Sequence, residues 1–84
     1  MERVIVWTDE AARQLLALPF RIRDRIENKL AELAIDPAAH RNQVKMLRGS
    51  RLLRLRVGDY RVIFTEQGVV LAIIRIGHRR EVYR

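Results

Sequence analysis

Cysteine is absent from the 84 residues, which rules out a disulfide staple or a thiolate metal site and leaves stability to packing alone. Long apolar runs are missing as well. The longest, Val69 to Ile74, is far shorter than the roughly 20 residues a membrane-spanning helix needs. Met1-Glu2-Arg3-Val4 has no basic segment leading into an apolar one, so no export signal is read there, and a cytoplasmic protein without a membrane partner is expected. There is no Gly-rich phosphate loop, no Ser/His/Asp arrangement for nucleophilic catalysis, no repeat and no linker, which implies one domain over residues 1–84.

Acidic residues are scarce in one half only. Residues 1–40 carry six Lys/Arg against seven Asp/Glu, whereas residues 41–84 carry eleven against three, so the net charge of +7 arises in the second half. Fifteen of the 17 basic residues are arginine, whose planar fork suits phosphate. Nucleic acid is the leading partner class and an acidic protein the second, with a merely solvated basic surface as the plain alternative.

The residue pattern predicts an α+β fold. Arg3 to Trp7 reads as a strand; Thr8 as the N-cap of a helix with Asp9 and Glu10 in its first turn. Pro19 interrupts that helix and is tolerated as the first residue of the next, in which Ile22, Ile26, Leu30 and Leu33 form an apolar stripe that Asp36-Pro37 ends. Residues 38–50 have no period and read as a loop. Leu53 to Phe64 alternates around a Gly58-Asp59 turn, and Val69 to Ile74, apolar on both faces, predicts an interior strand covered on both sides.

If Gly58-Asp59 is a two-residue turn, Val57 pairs with Tyr60, Arg56 with Arg61, Leu55 with Val62 and Arg54 with Ile63. One face is then apolar, and Arg54, Arg56 and Arg61 meet on the other. Like charges set opposite one another cost stability, a cost offset by a bound polyanion; the alternative is that they splay into water. The tail Gly77-His78-Arg79-Arg80-Glu81-Val82-Tyr83-Arg84 emerges at the end of the last strand and is placed to join them. Arginine does not give up its proton, so proton transfer falls to Tyr83 or His78. The second half holds only Asp59, Glu66 and Glu81 as carboxylates, and His40 and His78 lack ligand spacing, so no metal and no other cofactor is expected. Without metal, RNA is the preferred chemical substrate, because its 2′-OH is an internal nucleophile.

Three stretches carry a family likeness: Lys45-Met46-Leu47-Arg48-Gly49, Arg54 to Phe64 with its Gly58-Asp59-Tyr60-Arg61 centre, and Ile76-Gly77-His78-Arg79-Arg80-Glu81-Val82-Tyr83. Together they resemble the RelE/ParE toxin superfamily, on its RelE side, over nearly the whole chain. The resemblance implies an N-terminal strand and helical hairpin packed on a mostly antiparallel four-stranded sheet. It also implies a toxin of a type II toxin–antitoxin system: an mRNA endonuclease working on the ribosome and neutralised by a cognate antitoxin. Position by position, Arg54 and Arg61 match the strand-borne basic residues, Arg79 or Arg80 the tail arginine, and Tyr83 the tail tyrosine. Arg61, Arg79 and Tyr83 are the expected catalytic residues; Lys45, Arg54, Arg56, His78 and Arg80 are the expected substrate contacts. Leu52 and Arg54 stand where the best-studied pattern has lysines, which moves the proton role onto Tyr83 or His78. A ParE-like gyrase inhibitor and a catalytically silent RNA- or ribosome-binding module are the other readings.

Overall fold

The computed structural model describes residues 2–83; Arg84, the last residue of the basic tail, and Met1 lie outside the described residues. Strand β1 (Val4–Trp7) leads through Thr8 into helix α1 (Asp9–Leu16), and the Thr8 hydroxyl oxygen accepts the Ala11 N–H at 3.1 Å as the expected cap. Helix α2 (Phe20–Ile35) follows, with Pro19 one position before its start rather than inside it. Ile26, Leu30, Leu33 and Ala34 are buried along one face of α2. Asp36 ends the helix in extended backbone, as a residue before proline tends to, and its carboxylate accepts the Ala38 N–H at 2.9 Å.

The segment 38–50, expected as a loop, contains a 3₁₀ turn (Arg41–Gln43) and a short strand β2 (Val44–Met46). β2 pairs antiparallel with β3 (Leu53–Val57), setting Lys45 opposite Arg54. The expected four-stranded sheet is therefore five-stranded. Three residues offer a single alternation, too short a stretch for periodicity to register. β3 turns through Gly58-Asp59 into β4 (Tyr60–Gln67), in the register expected from the sequence. Gly58 has φ +59°, a left-handed conformation in which glycine carries no Cβ penalty.

β4 pairs with β5 (Val70–His78), whose other edge pairs in parallel with β1, giving the order β1-β5-β4-β3-β2. β5 is interior in that order, but only one of its faces is fully covered: Leu71, Ile73 and Ile76 are buried under the helices, while Val70, Ala72 and Ile74 are half-buried on the other side. A bulge accompanies this. Phe64 pairs with Ile73 and Ile63 with Arg75, leaving Ile74 as the extra residue. Strict alternation from Leu71 and Ile73 would turn Arg75 and Gly77 into the core. The bulge reverses the phase, so that Ile76 enters the core and Arg75 and Gly77 face outward.

The core joins the helix-side face of the sheet (Leu55, Val57, Val62, Phe64, Leu71, Ile73, Ile76) to Ala11, Leu15, Ile26, Leu30, Leu33 and Ala34. Two further buried residues, Ile63 and Val82, lie outside that cluster. They mark the place where the tail covers the outer face.

Candidate nucleic-acid interface

Register places Lys45 on β2, Arg54 and Arg56 on β3, Arg61 on β4, and Arg75 and Gly77 on β5, all on the sheet face away from the helices. This face is basic because the alternation of β3 and β4 assigns every apolar residue but Ile63 to the core. Its two central arginines, Arg56 and Arg61, are a directly opposed pair.

The tail closes over one end of the face. Arg79 donates its backbone N–H to the Asp59 carbonyl at 2.8 Å, tying the tail to the β3–β4 turn. The N–H groups of Glu81 and Val82 then both reach the His78 carbonyl, at 2.8 and 2.9 Å, which reverses the chain in one tight turn. Val82, 3% exposed, lies on Gly77, where a Cβ would stand 3.3 Å from the Val82 Cα and Cβ. Gly77 is thus needed for close approach, not for an unusual backbone angle. Arg75 Nη1 donates to the Val82 carbonyl at 3.3 Å. The next residue is Tyr83, whose hydroxyl accepts a long hydrogen bond, 3.4 Å, from Arg54 Nη1.

Arg61 is held by its own turn, Nη1 donating to the carbonyls of Gly58 at 2.8 Å and Tyr60 at 2.9 Å. Its pKa is lowered from the ordinary arginine value, first by desolvation and then by the like charges of Arg54, Arg56 and Arg79, with Tyr83 acting in the opposite sense. The charges of Arg54, Arg56 and Arg79 thus all act on Arg61. The buried Nε of Arg54 has no hydrogen-bond partner among the described residues. Such an atom is costly unless a ligand satisfies it.

Of the residues singled out in the sequence, Lys45, Arg54, Arg56, Arg61, Arg79 and Tyr83 come together at this face and its tail-covered end. His78 does not. It pairs with Tyr60 on the helix side of the sheet, its ring edge-on to the Tyr60 ring at 5.7 Å between centroids, and its Nδ1 accepts the Arg80 backbone N–H at 3.3 Å. His78 braces the tail turn from the other face. Arg80 is exposed in the turn, whereas Arg79 lies 3.9 Å from the Asp59 carboxylate. Arg75 escaped notice in the sequence because it sits in an apolar strand at a position that strict alternation assigns to the core. Among the described residues, no group of three or more His, Asp or Glu could hold a metal ion.

Comparison with known proteins agrees with this architecture. A family model described as the ParE toxin of the type II toxin–antitoxin system parDE matches residues 5–83. Comparison with curated protein sequences finds no match. Among solved structures, the chain is similar to the archaeal RelE–RelB complex of Pyrococcus horikoshii, with TM-score 0.81 and 25% identity, covering 98% of this chain and 100% of that one. It is also similar to a RelBE toxin–antitoxin complex of Mycobacterium tuberculosis, with TM-score 0.73 and 25% identity over 94% and 100% of the two chains. A mutant E. coli RelE toxin in the free state shares the fold, with TM-score 0.79 and 23% identity over 99% and 92%. The chain belongs to the ParE toxin family of type II toxin–antitoxin systems, within the RelE/ParE toxin superfamily.

Proposed function

We propose that this type II toxin is a metal-independent, ribosome-dependent mRNA endonuclease. The observation that carries the reading is Tyr83 held on Arg54 beside Arg61, a proton-bearing group inside a cluster of arginines. In RNA cleavage the 2′-oxygen attacks phosphorus, the bond from phosphorus to the 5′-oxygen breaks, and a 2′,3′-cyclic phosphate remains. The 2′-OH loses its proton to solvent and the departing 5′-oxygen gains one, the donor being reprotonated from solvent. Arg54, Arg56, Arg61 and Arg79 bind the phosphate and stabilise the extra charge on its oxygens. Because Arg54 donates to the Tyr83 oxygen, the Tyr83 O–H remains available to donate to the departing 5′-oxygen.

The make-up of this face supports ribosome dependence. It holds many clamps but few proton carriers, so much of the rate must come from in-line placement of the RNA. The ribosome supplies that placement. Primer extension on ribosome-bound mRNA, with and without the purified chain and in the presence of EDTA, tests the reading: new termini within the translated region are expected, and intact mRNA rejects it.

The match to the ParE family favours a second reading, inhibition of DNA gyrase without cleavage. Loss of gyrase supercoiling with intact mRNA selects it. Under either reading a cognate antitoxin is the expected partner, since two of the similar structures are complexes with RelB or a RelB-type antitoxin. A mostly apolar groove of about 380 Å³, lined by Ile5, Trp7, Ala12, Leu15, Leu16 and Leu30 together with Glu27, is the surface offered to the apolar side of an amphipathic antitoxin segment, and the basic face is the surface offered to its acidic side.

A further inference from the structure

We propose that Arg75 is a positioning residue, a strap by which helix α1 fixes the placement of Tyr83 on the arginine face. The proposal rests on the nuclease reading for its catalytic consequence, but not for its structural content. Two contacts define the strap. Arg75 Nη1 donates to the Val82 carbonyl at 3.3 Å, and Arg75 Nε lies 3.6 Å from the Glu10 carboxylate in the first turn of α1. The Val82 carbonyl belongs to the same planar peptide unit as the nitrogen and Cα of Tyr83. Holding that oxygen therefore orients the point from which the Tyr83 side chain departs, and Tyr83 in turn meets Arg54 at 3.4 Å.

The far end of the strap is anchored. Thr8, which caps α1, donates its N–H to the Ile73 carbonyl and its hydroxyl to the Ile74 carbonyl, both at 3.0 Å, and the Gln14 side-chain oxygen accepts the Ile76 N–H at 2.6 Å. α1 is thus fastened to β5 on both sides of Arg75. The β5 bulge at Ile74 is what turns Arg75 outward to reach Val82. The Val82 contact is a hydrogen bond that sets direction, whereas Glu10, at 3.6 Å, holds the guanidinium over the tail by charge rather than by a directed bond. Displacement of a reacting group by about 1 Å can cost on the order of a hundredfold in rate, which makes such a strap matter for turnover more than for affinity.

The test uses the full chain with Arg75→Gln, Arg75→Lys and Glu10→Gln. Two readouts are taken: cleavage of ribosome-bound mRNA, resolved into kcat and KM, and hydrogen exchange of the Val82 amide, which the wild type bonds to His78. Arg75→Gln is expected to lower kcat about tenfold to a hundredfold with KM within about threefold. Val82 exchange should accelerate by about tenfold or more while the β4 amides stay protected. Arg75→Lys, which keeps the charge but loses the fork, should recover only part of kcat, and Glu10→Gln should shift both readouts in the same direction. Unchanged Val82 exchange overturns the strap, and a raised KM at full kcat overturns it in favour of a phosphate ligand. Should Arg75→Gln lose β4 protection, Glu10→Gln on the exposed rim carries the same decision. If the wild type leaves ribosome-bound mRNA intact, the nuclease reading falls, and Val82 exchange still decides whether Arg75 holds the tail.

Discussion

Arg56 and Arg61 stand directly opposite one another in the β3–β4 hairpin, a like-charge pair at the centre of an otherwise regular register. Cross-strand pairs of this kind are worth roughly 0.2–1 kcal/mol in either direction. Arg56→Thr is therefore expected to raise the unfolding free energy by an amount within about that range at low salt, and by less in about 0.5 M salt, where screening is short-ranged. Denaturant melts at the two salt concentrations check it. The effect is one of ionic strength and not of pH. With its pKa lowered, Arg61 carries a charge that costs stability below that lowered value and is relieved only as pH rises through it; across about pH 5 to 9 the side chain stays charged in both folded and unfolded states and adds no slope.

The same face makes a quantitative prediction for RNA. For single strands, the logarithm of the binding constant falls with the logarithm of salt by about 0.7 per phosphate neutralised. Lys45→Gln and Arg56→Gln should each reduce that slope by about 0.7, because both side chains are exposed on the face and each carries one charge to a phosphate. Filter binding of a short single-stranded RNA across a salt series measures the slope. An unchanged slope for Lys45→Gln would place β2 outside the RNA footprint.

Much of this site could be read from the residues. The Gly58-Asp59 turn fixed the hairpin register, and with it the meeting of Arg54, Arg56 and Arg61, because two apolar alternations on either side of a two-residue turn admit one pairing. What could not be read were departures from periodicity. β2 is too short to show a period, and the Ile74 bulge inverts the phase of β5, hiding both the outward turn of Arg75 and the approach of Val82 to Gly77. The position of His78 is hidden for a related reason: it lies in the strand, not beyond it, and strand parity after the bulge sends it to the helix side with Tyr60.

Gly77→Ala probes that hidden packing. The added methyl meets the Val82 backbone at 3.3 Å, and backbone cannot swing aside as a flexible side chain can. The tail is expected to lift rather than the strand to distort, which limits the stability loss to about the burial of one valine, roughly 1.5–3 kcal/mol. Thermal melts should show a single, modestly lowered transition, with cleavage lost. Full activity would show that Tyr83 does not need the Val82–Gly77 contact to be placed.

Tyr83→Phe separates chemistry from packing. Its side chain is half exposed, with the residue 52% accessible, and its hydroxyl makes one long bond to Arg54, so removing the oxygen should change the unfolding free energy by no more than about 0.5 kcal/mol. A positioned proton donor contributes typically about 10²–10⁴ in rate. Cleavage of ribosome-bound mRNA by Tyr83→Phe should therefore fall by at least about a hundredfold at unchanged stability and unchanged KM. The direction of transfer is testable in the same variant. If Tyr83 protonates the 5′-oxygen, replacing that oxygen by sulfur, a far better leaving group that needs no proton, should restore most of the lost rate. A variant that stays slow on the sulfur-substituted RNA would instead assign Tyr83 to the 2′-OH side of the reaction.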